Sequence, residues 1–127
     1  MRDLLEKCGD LASDPGDVDY FDVNANGTPC LWAVPHGCRE DRVLLALHGG
    51  GCVTGSRFSH RKMFAHLAKA IGCRALIPDY RLAPENPYPA ALDDVVMRAV
   101  APNPAKRYPR AAELASALRR VDESLVS

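Results

Sequence analysis

The sequence lacks a charge imbalance, a long apolar run and any paired cysteine motif. Lysine plus arginine number 16 and aspartate plus glutamate number 16, so the formal net charge is zero. That balance argues against non-specific binding to nucleic acid or to an anionic membrane surface, and it offers little charge repulsion against self-association. No apolar stretch approaches the ~20 residues of a membrane-spanning helix. The first dozen residues carry Asp3, Glu6 and Asp10, which is not the pattern of a secretory leader. No CxxC pair occurs among Cys8, Cys30, Cys38, Cys52 and Cys73. Their spacing supports neither a zinc site nor a disulfide framework, and free thiols fit a reducing cytoplasm. Each cysteine is therefore expected as a small buried hydrophobe. Internal repeats and low-complexity segments are also absent.

What is present suits one soluble domain. The chain has 127 residues, 47% of them hydrophobic and 25% charged, which is an ordinary globular balance. Leu4, Cys8 and Leu11 fall at helical spacing with Leu5 beside them, so a short amphipathic helix is expected within residues 1–12. Asp14-Pro15-Gly16 is a turn signal. Val18 to Val23 reads as a strand, Asn24-Ala25-Asn26-Gly27 as a hairpin turn, and Thr28 to Val34 as the returning strand. Pro35-His36-Gly37 ends it, and Arg39 to Arg42 reads as a charged surface loop. Val43 to Leu47 is a continuous apolar run, as expected of a strand buried on both faces.

That run leads into His48-Gly49-Gly50-Gly51. From Arg61 to Ile71, Met63, Phe64, Leu67, Ala70 and Ile71 recur at helical spacing, and Gly72 follows as a stop. Cys73 to Pro78 is a second buried strand. Strand, loop, helix and strand make a βαβ unit, so a hairpin followed by βαβ predicts an α/β domain with a mixed sheet. Asp79 to Pro89 is proline-rich and irregular. Ala90 to Ala101 reads as a helix, Pro102-Asn103-Pro104 breaks it, and Arg110 to Val121 reads as a further helix with Ala111, Leu114, Ala115, Leu118 and Val121 in one stripe.

Three consecutive glycines after a buried strand can point several backbone N–H groups into one small space, which suits the oxyanion formed during ester hydrolysis. A flexible connecting turn is the plainer reading of such a run. The second motif shifts the balance: Asp79-Tyr80-Arg81-Leu82-Ala83-Pro84-Glu85 continues into Asn86-Pro87-Tyr88-Pro89-Ala90-Ala91-Leu92-Asp93-Asp94, with a helix and a strand between the two motifs. Together they resemble the hormone-sensitive lipase branch of the α/β-hydrolases, the esterases with HGGG and DYRLAPE-type signatures. The likeness covers about residues 18–96.

The resemblance implies that Gly50 and Gly51 donate N–H groups to an oxyanion, that Gly49 shapes the turn, and that His48 braces the loop rather than acting as a base. It implies that the segment from Asp79 to Glu85 supports the loop, with an Arg81–Glu85 ion pair as a candidate tie and Asp93 or Asp94 near the next helix start. None of these charges is assigned to catalysis. The implied reaction is hydrolysis of short-chain carboxylic esters, with a small ester as partner and no metal or organic cofactor.

A hydrolase also needs a nucleophile and a base in hydrogen-bond reach. The family carries its serine on a GxSxG elbow, and this sequence contains none. Ser56 lies in Thr54-Gly55-Ser56-Arg57, which lacks the elbow pattern. Ser59 and His60 are adjacent, and sequence neighbours are not expected to present both side chains for proton transfer. Neither serine is taken as a nucleophile, and His36, His60 and His66 are expected as surface or packing residues.

The residues after Val96 resemble the end of bacterial Ser/Thr protein kinase domains, where an arginine, here Arg107, ties the lobe to the activation segment. Every catalytic kinase element is absent. The tail reads as a fusion or recombination scar with a join near Asp93 to Val96, and a chance likeness among alanine-rich helices is the alternative. The expected organisation is a helical, cap-like segment at 1–17, an incomplete α/β-hydrolase-type mixed sheet at 18–96, and a helical tail at 97–127. The expected protein is a truncated or chimeric esterase-family chain that retains the oxyanion loop and has no independent activity. The alternatives are a non-catalytic interaction module and a half-enzyme needing a complementing chain. An unpaired parallel strand at the sheet edge favours self-association.

Overall fold

A computed structural model describes residues 2–25 and 27–97. Helix α1 spans Arg2–Lys7 and tightens into a 3₁₀ turn over Cys8–Leu11. Strands β1 (Val18–Ala25) and β2 (Thr28–Pro35) form the hairpin, and β3 (Arg39–Leu45), α2 (Arg61–Ile71) and β4 (Cys73–Pro78) form the βαβ unit. A short α3 (Ala90–Leu92) continues as a π-helical turn over Asp93–Met97. The rest of the helix expected to Ala101, the break at Pro102, Arg107, and the helix from Arg110 to Val121 lie outside the described residues, as does Asn26 of the hairpin turn.

The four strands form one mixed sheet in the order β1-β2-β4-β3. β1 pairs antiparallel with β2, β2 antiparallel with β4, and β3 parallel with β4. The sheet is thus mixed, as the hairpin and βαβ patterns predict, and it is the incomplete α/β-hydrolase-type sheet that the motif resemblance implies. The hairpin is tighter than expected, because Ala25 already pairs with Thr28. The charged stretch from Arg39 is the start of β3 rather than a free loop. Arg39 pairs with Cys73 and Val43 with Arg74, so the residues between them bulge from the ladder and keep their charges in water.

Alternation divides the side chains between two faces. One carries Leu31, Ala33, Ala75, Ile77 and Ala46, closed by Phe64, Ala65 and Ala68 of α2. The other carries Cys30, Trp32 and Leu76, with Val23, Ala25 and Val34 against them. Two packing expectations are corrected here. The run from Val43 to Leu47 is not buried on both faces: Leu44 packs into the core and Ala46 is buried, whereas Val43, Leu45 and Leu47 are exposed. Among the described residues β3 is a sheet edge, so nothing flanks it on the far side.

The inward face of α2 is also rotated from the expected one. Phe64, Ala65 and Ala68 are buried, while Met63, Leu67, Ala70 and Ile71 are exposed. The small side chains at 65 and 68 let the helix backbone approach the sheet, which larger residues would hold away. Gly72 closes α2 as expected, its N–H bonded to the carbonyls of Ala68 at 2.9 Å and Lys69 at 3.2 Å. The cysteines divide as well: Cys30 and Cys73 are buried, but Cys8 and Cys52 are exposed because α1 and the glycine loop lie at the surface. All five are free thiols. No helix among the described residues is long and apolar enough to cross a membrane.

Candidate active site

The chain leaves β3 through Ala46, whose N–H still bonds to Leu76 O at 2.9 Å, and turns at His48 into the glycines. Gly50 O accepts from the backbone N–H of Val53 and of Thr54, each at 3.1 Å, and from the Thr54 hydroxyl at 3.3 Å. This folds the loop back on itself. Gly50 has φ 127° and Gly51 φ 63°, conformations that glycine adopts without strain. A Cβ on Gly50 would lie 2.1 Å from Thr54 O, so no side chain fits there. Among the described residues, no group accepts a hydrogen bond from the N–H of Gly50 or Gly51. Two unused backbone donors therefore stand at the end of a strand.

His48 holds the loop from below. It is buried, and its Nδ1–H donates to Gly49 O at 3.1 Å, which puts the ring proton on Nδ1. The Tyr80 ring stacks on it at 4.2 Å and within 4° of parallel, and the Tyr80 hydroxyl donates to His48 O. Burial pushes the Tyr80 phenol above its ordinary value, so it stays a donor. His48 Nε2 is buried without a partner among the described residues. Gly55 completes the support: a Cβ there would lie 2.3 Å from Gly49 O and 2.8 Å from His48 Nδ1.

The segment after β4 braces the same loop, as its motif suggests, but through different contacts. Ala83 N–H donates to Cys52 O at 2.8 Å. Arg81 does not pair with Glu85. Its guanidinium lies 2.9 Å from Asp94 Oδ1, and its backbone N–H donates to Asp94 Oδ2 at 2.8 Å. Glu85 instead takes Arg2 at 2.9 Å, and Arg2 also donates to Ala83 O. The turn through residues 83–86 points the two side chains apart, one to the following helix and one to α1. Arg57, not singled out by any motif, knits the sheet to the loop. Its guanidinium contacts Asp22 at 2.9 Å and Cys30 O at 3.0 Å, and its Nε lies 3.5 Å from Asp79 Oδ2, an ionic contact without hydrogen-bond geometry.

The serines sit close to the site, and one expectation is corrected. Ser59 Oγ and His60 Nδ1 approach to 2.9 Å despite being neighbours, because the chain turns between them into α2. The Ser59 hydroxyl is nevertheless occupied, accepting from Ser56 N–H at 2.9 Å and donating to Ser56 O at 3.0 Å. Ser56 Oγ donates to Glu6 at 2.6 Å and accepts from the N–H of Phe58 and of Ser59 at 3.1 Å. Both hydroxyls close a turn. Burial, and then the neighbouring His48, hold His60 below the ordinary histidine value. His36 meets Asp19 at 3.0 Å and His66 meets Ser13 O at 3.0 Å, both at the surface.

Two hollows flank the glycine loop. One, of about 470 Å³, is apolar and includes Leu47, Gly51, Cys52, Tyr80, Leu92 and Val95. The other, of about 420 Å³, includes Gly49, Gly50, Ser59 and His60. Unused amides with an apolar hollow on one side can hold a developing negative charge and an adjoining hydrocarbon group. Among the described residues no group of three or more His, Cys, Asp or Glu is placed to hold a metal ion.

The chain is 41% identical over 92 residues to the acetyl-hydrolase of Streptomyces hygroscopicus, covering 72% of this chain and 29% of that protein. It is 37% identical over 75 residues to human hormone-sensitive lipase, covering 57% of this chain and 7% of that protein. The crystal structure of an esterase from the bacterial hormone-sensitive lipase family superposes with a TM-score of 0.71 at 40% identity, over 84% of this chain and 37% of that one. The chain thus spans well under half the length of these relatives. A family described as alpha/beta hydrolase fold matches residues 44–118. With the glycine loop, the following helix and strand, and the tyrosine-bearing segment all inside that match, the chain belongs to the α/β-hydrolase fold family.

Proposed function

We propose that this chain carries the oxyanion-binding part of a carboxylic-ester hydrolase site, with short-chain acyl esters as the substrate class. One observation carries the reading: Gly50 and Gly51 present N–H groups with no acceptor among the described residues, on a loop braced by His48 and Tyr80. Gly50 and Gly51 are the donors to the tetrahedral intermediate, and Gly49 and His48 keep them in place. Such preorganised donors contribute about 3 kcal/mol each to transition-state stabilisation. The apolar hollow beside Gly51 receives the hydrocarbon part of the ester. Similarity to an acetyl-hydrolase favours a short acyl group.

Neither hydroxyl near the loop is assigned as the nucleophile, since Ser56 and Ser59 are both committed to the turn that starts α2. A triad serine and histidine come from outside these 127 residues, and by themselves the residues present bind charge without cleaving esters. A complementing chain is the second reading, and the open edge of β3 favours it. A parallel strand joined there would end beside the glycine amides. Five unpaired thiols suit a reducing cytoplasm.

The test is to offer the purified chain a chromogenic acetyl or butyryl ester and a serine-reactive phosphonate. We expect no turnover and no covalent adduct from this chain alone. We expect turnover after addition of a fragment of a homologous esterase bearing the GxSxG elbow, abolished by Gly50→Ala. Labelling of Ser56 or Ser59 with turnover by the chain alone would overturn the assignment of those serines, and no turnover in any combination would leave the interaction-module reading.

A further inference from the structure

Two edges of the sheet are open among the described residues, and they differ in charge. The β1 edge carries Asp19 and Asp22, so a second β1 laid along it would bring carboxylates together. The β3 edge is charged only at its bulged start, from Arg39 to Arg42. Beyond that start Val43 is 37% exposed, Leu45 53% and Leu47 47%, on the face opposite α2. Their alternate spacing puts them in line over roughly 13 Å. Backbone polarity follows the same alternation. Ala46 N–H bonds to Leu76 O, so Leu44 and Ala46 turn their amides toward β4. The amides and carbonyls of Val43, Leu45 and Leu47 therefore point out of the sheet edge.

From this arrangement we infer that β3 is a two-fold interface between two copies of this chain, the strands antiparallel with Leu45 opposite Leu45. Self-complementarity selects a second copy as the occupant. With Leu45 on the axis, Val43 of each copy meets Leu47 of the other, and the outward amides of all three residues find carbonyls. Sliding the strands by two residues sets Leu47 against Asp41 in one direction and Val43 against Gly49 in the other, so one register uses the whole row. Zero net charge adds no long-range repulsion to this pairing. The contact from Val43 to Leu47 buries less than the ~1,200 Å² of a stable specific interface, so the dimer is weak and reversible. A complementing strand would use the same edge, so the dimer and a complemented enzyme exclude each other. The dimer itself needs no ester chemistry, and it stands or falls separately from that reading.

Sedimentation equilibrium of the full chain, from about 1 μM to about 1 mM, tests the pairing. We expect a monomer–dimer equilibrium across that range. Leu45→Lys sets two ammonium groups across the axis and is expected to weaken the dimer by about tenfold or more. Phe21→Lys, on the β1 edge, is expected to leave it unchanged within about twofold. Amide exchange in the unsubstituted chain reads the register directly, should Leu45→Lys fail to fold. Exchange at Val43, Leu45 and Leu47 is expected to slow by about tenfold as concentration rises, with Leu44 and Ala46 unchanged. A monomer throughout the range, a folded Leu45→Lys variant that dimerises as before, or exchange at Val43 and Leu45 independent of concentration would each overturn the inference.

Discussion

On the face of the sheet covered by α2, Leu44 and Ala46 lie in a core closed by Phe64, Ala65 and Ala68. One residue away along the same strand, Val43, Leu45 and Leu47 look outward on the opposite face. The side chains are chemically alike, and only the pleat and the nearest helix distinguish them. An apolar run therefore announces a strand without announcing that both of its faces are covered, since cover is supplied by other elements.

Substitutions at adjacent positions of α2 sharpen that contrast most. Phe64→Ala removes a buried ring and is expected to cost about 3 kcal/mol, whereas Met63→Ala, half-exposed on the outer flank, is expected to cost about 0.5 kcal/mol. Urea denaturation of the two variants measures both, and equal costs would return the inward face of the helix to the phase expected from sequence. Next in size is the glycine loop. Gly55→Ala places a Cβ against Gly49 O at a φ of 86° and is expected to cost about 2 kcal/mol. The same substitution at Gly37, where no atom lies within 4 Å, bears only the backbone strain and is expected to cost about 1 kcal/mol. Thermal melts of the pair separate crowding from strain.

The smallest effects are pH-dependent. Burial pushes the Cys30 thiol up to about 11, so its protonated form is favoured in the fold. Its contribution is complete below the ordinary thiol value near 9, and it is lost as pH rises toward 11. His60 acts in the opposite range. Its folded value is depressed, so the unfolded chain binds the proton more readily and stability falls as pH drops below the ordinary 6.5. Denaturant titrations across pH, with Cys30→Ala and His60→Gln as references, are expected to flatten the alkaline and acid limbs respectively.

Much of the fold was legible because its signals are local. The pairing of β1 with β2, the helix from Arg61 closed by Gly72, and the apolar run of β4 each follow from short-range chemistry. The glycine loop was legible for the same reason, as consecutive glycines after a strand need a conformational cause. Contacts across the chain were not. The expected Arg81–Glu85 pair satisfied sequence spacing, but the turn between them gives Arg81 to Asp94 and Glu85 to Arg2, at separations of 13 and 83 positions. Arg57 carries no motif, and its link to Asp22, Asp79 and Cys30 emerges only when the hairpin lies beside the loop. Tyr80 lies within the recognised motif, yet its stacking on His48 depends on β3 and β4 being neighbours.

The sequence by itself determined the order of strands and helix, the mixed character of the sheet and the position of the glycine loop, because periodicity and glycine conformation act over a few residues. Tertiary structure alone decided which sides of β3 and α2 are covered, which charges meet, and that the Ser56 hydroxyl reaches Glu6. Those outcomes depend on distances between segments remote in the chain, and no local pattern encodes such distances.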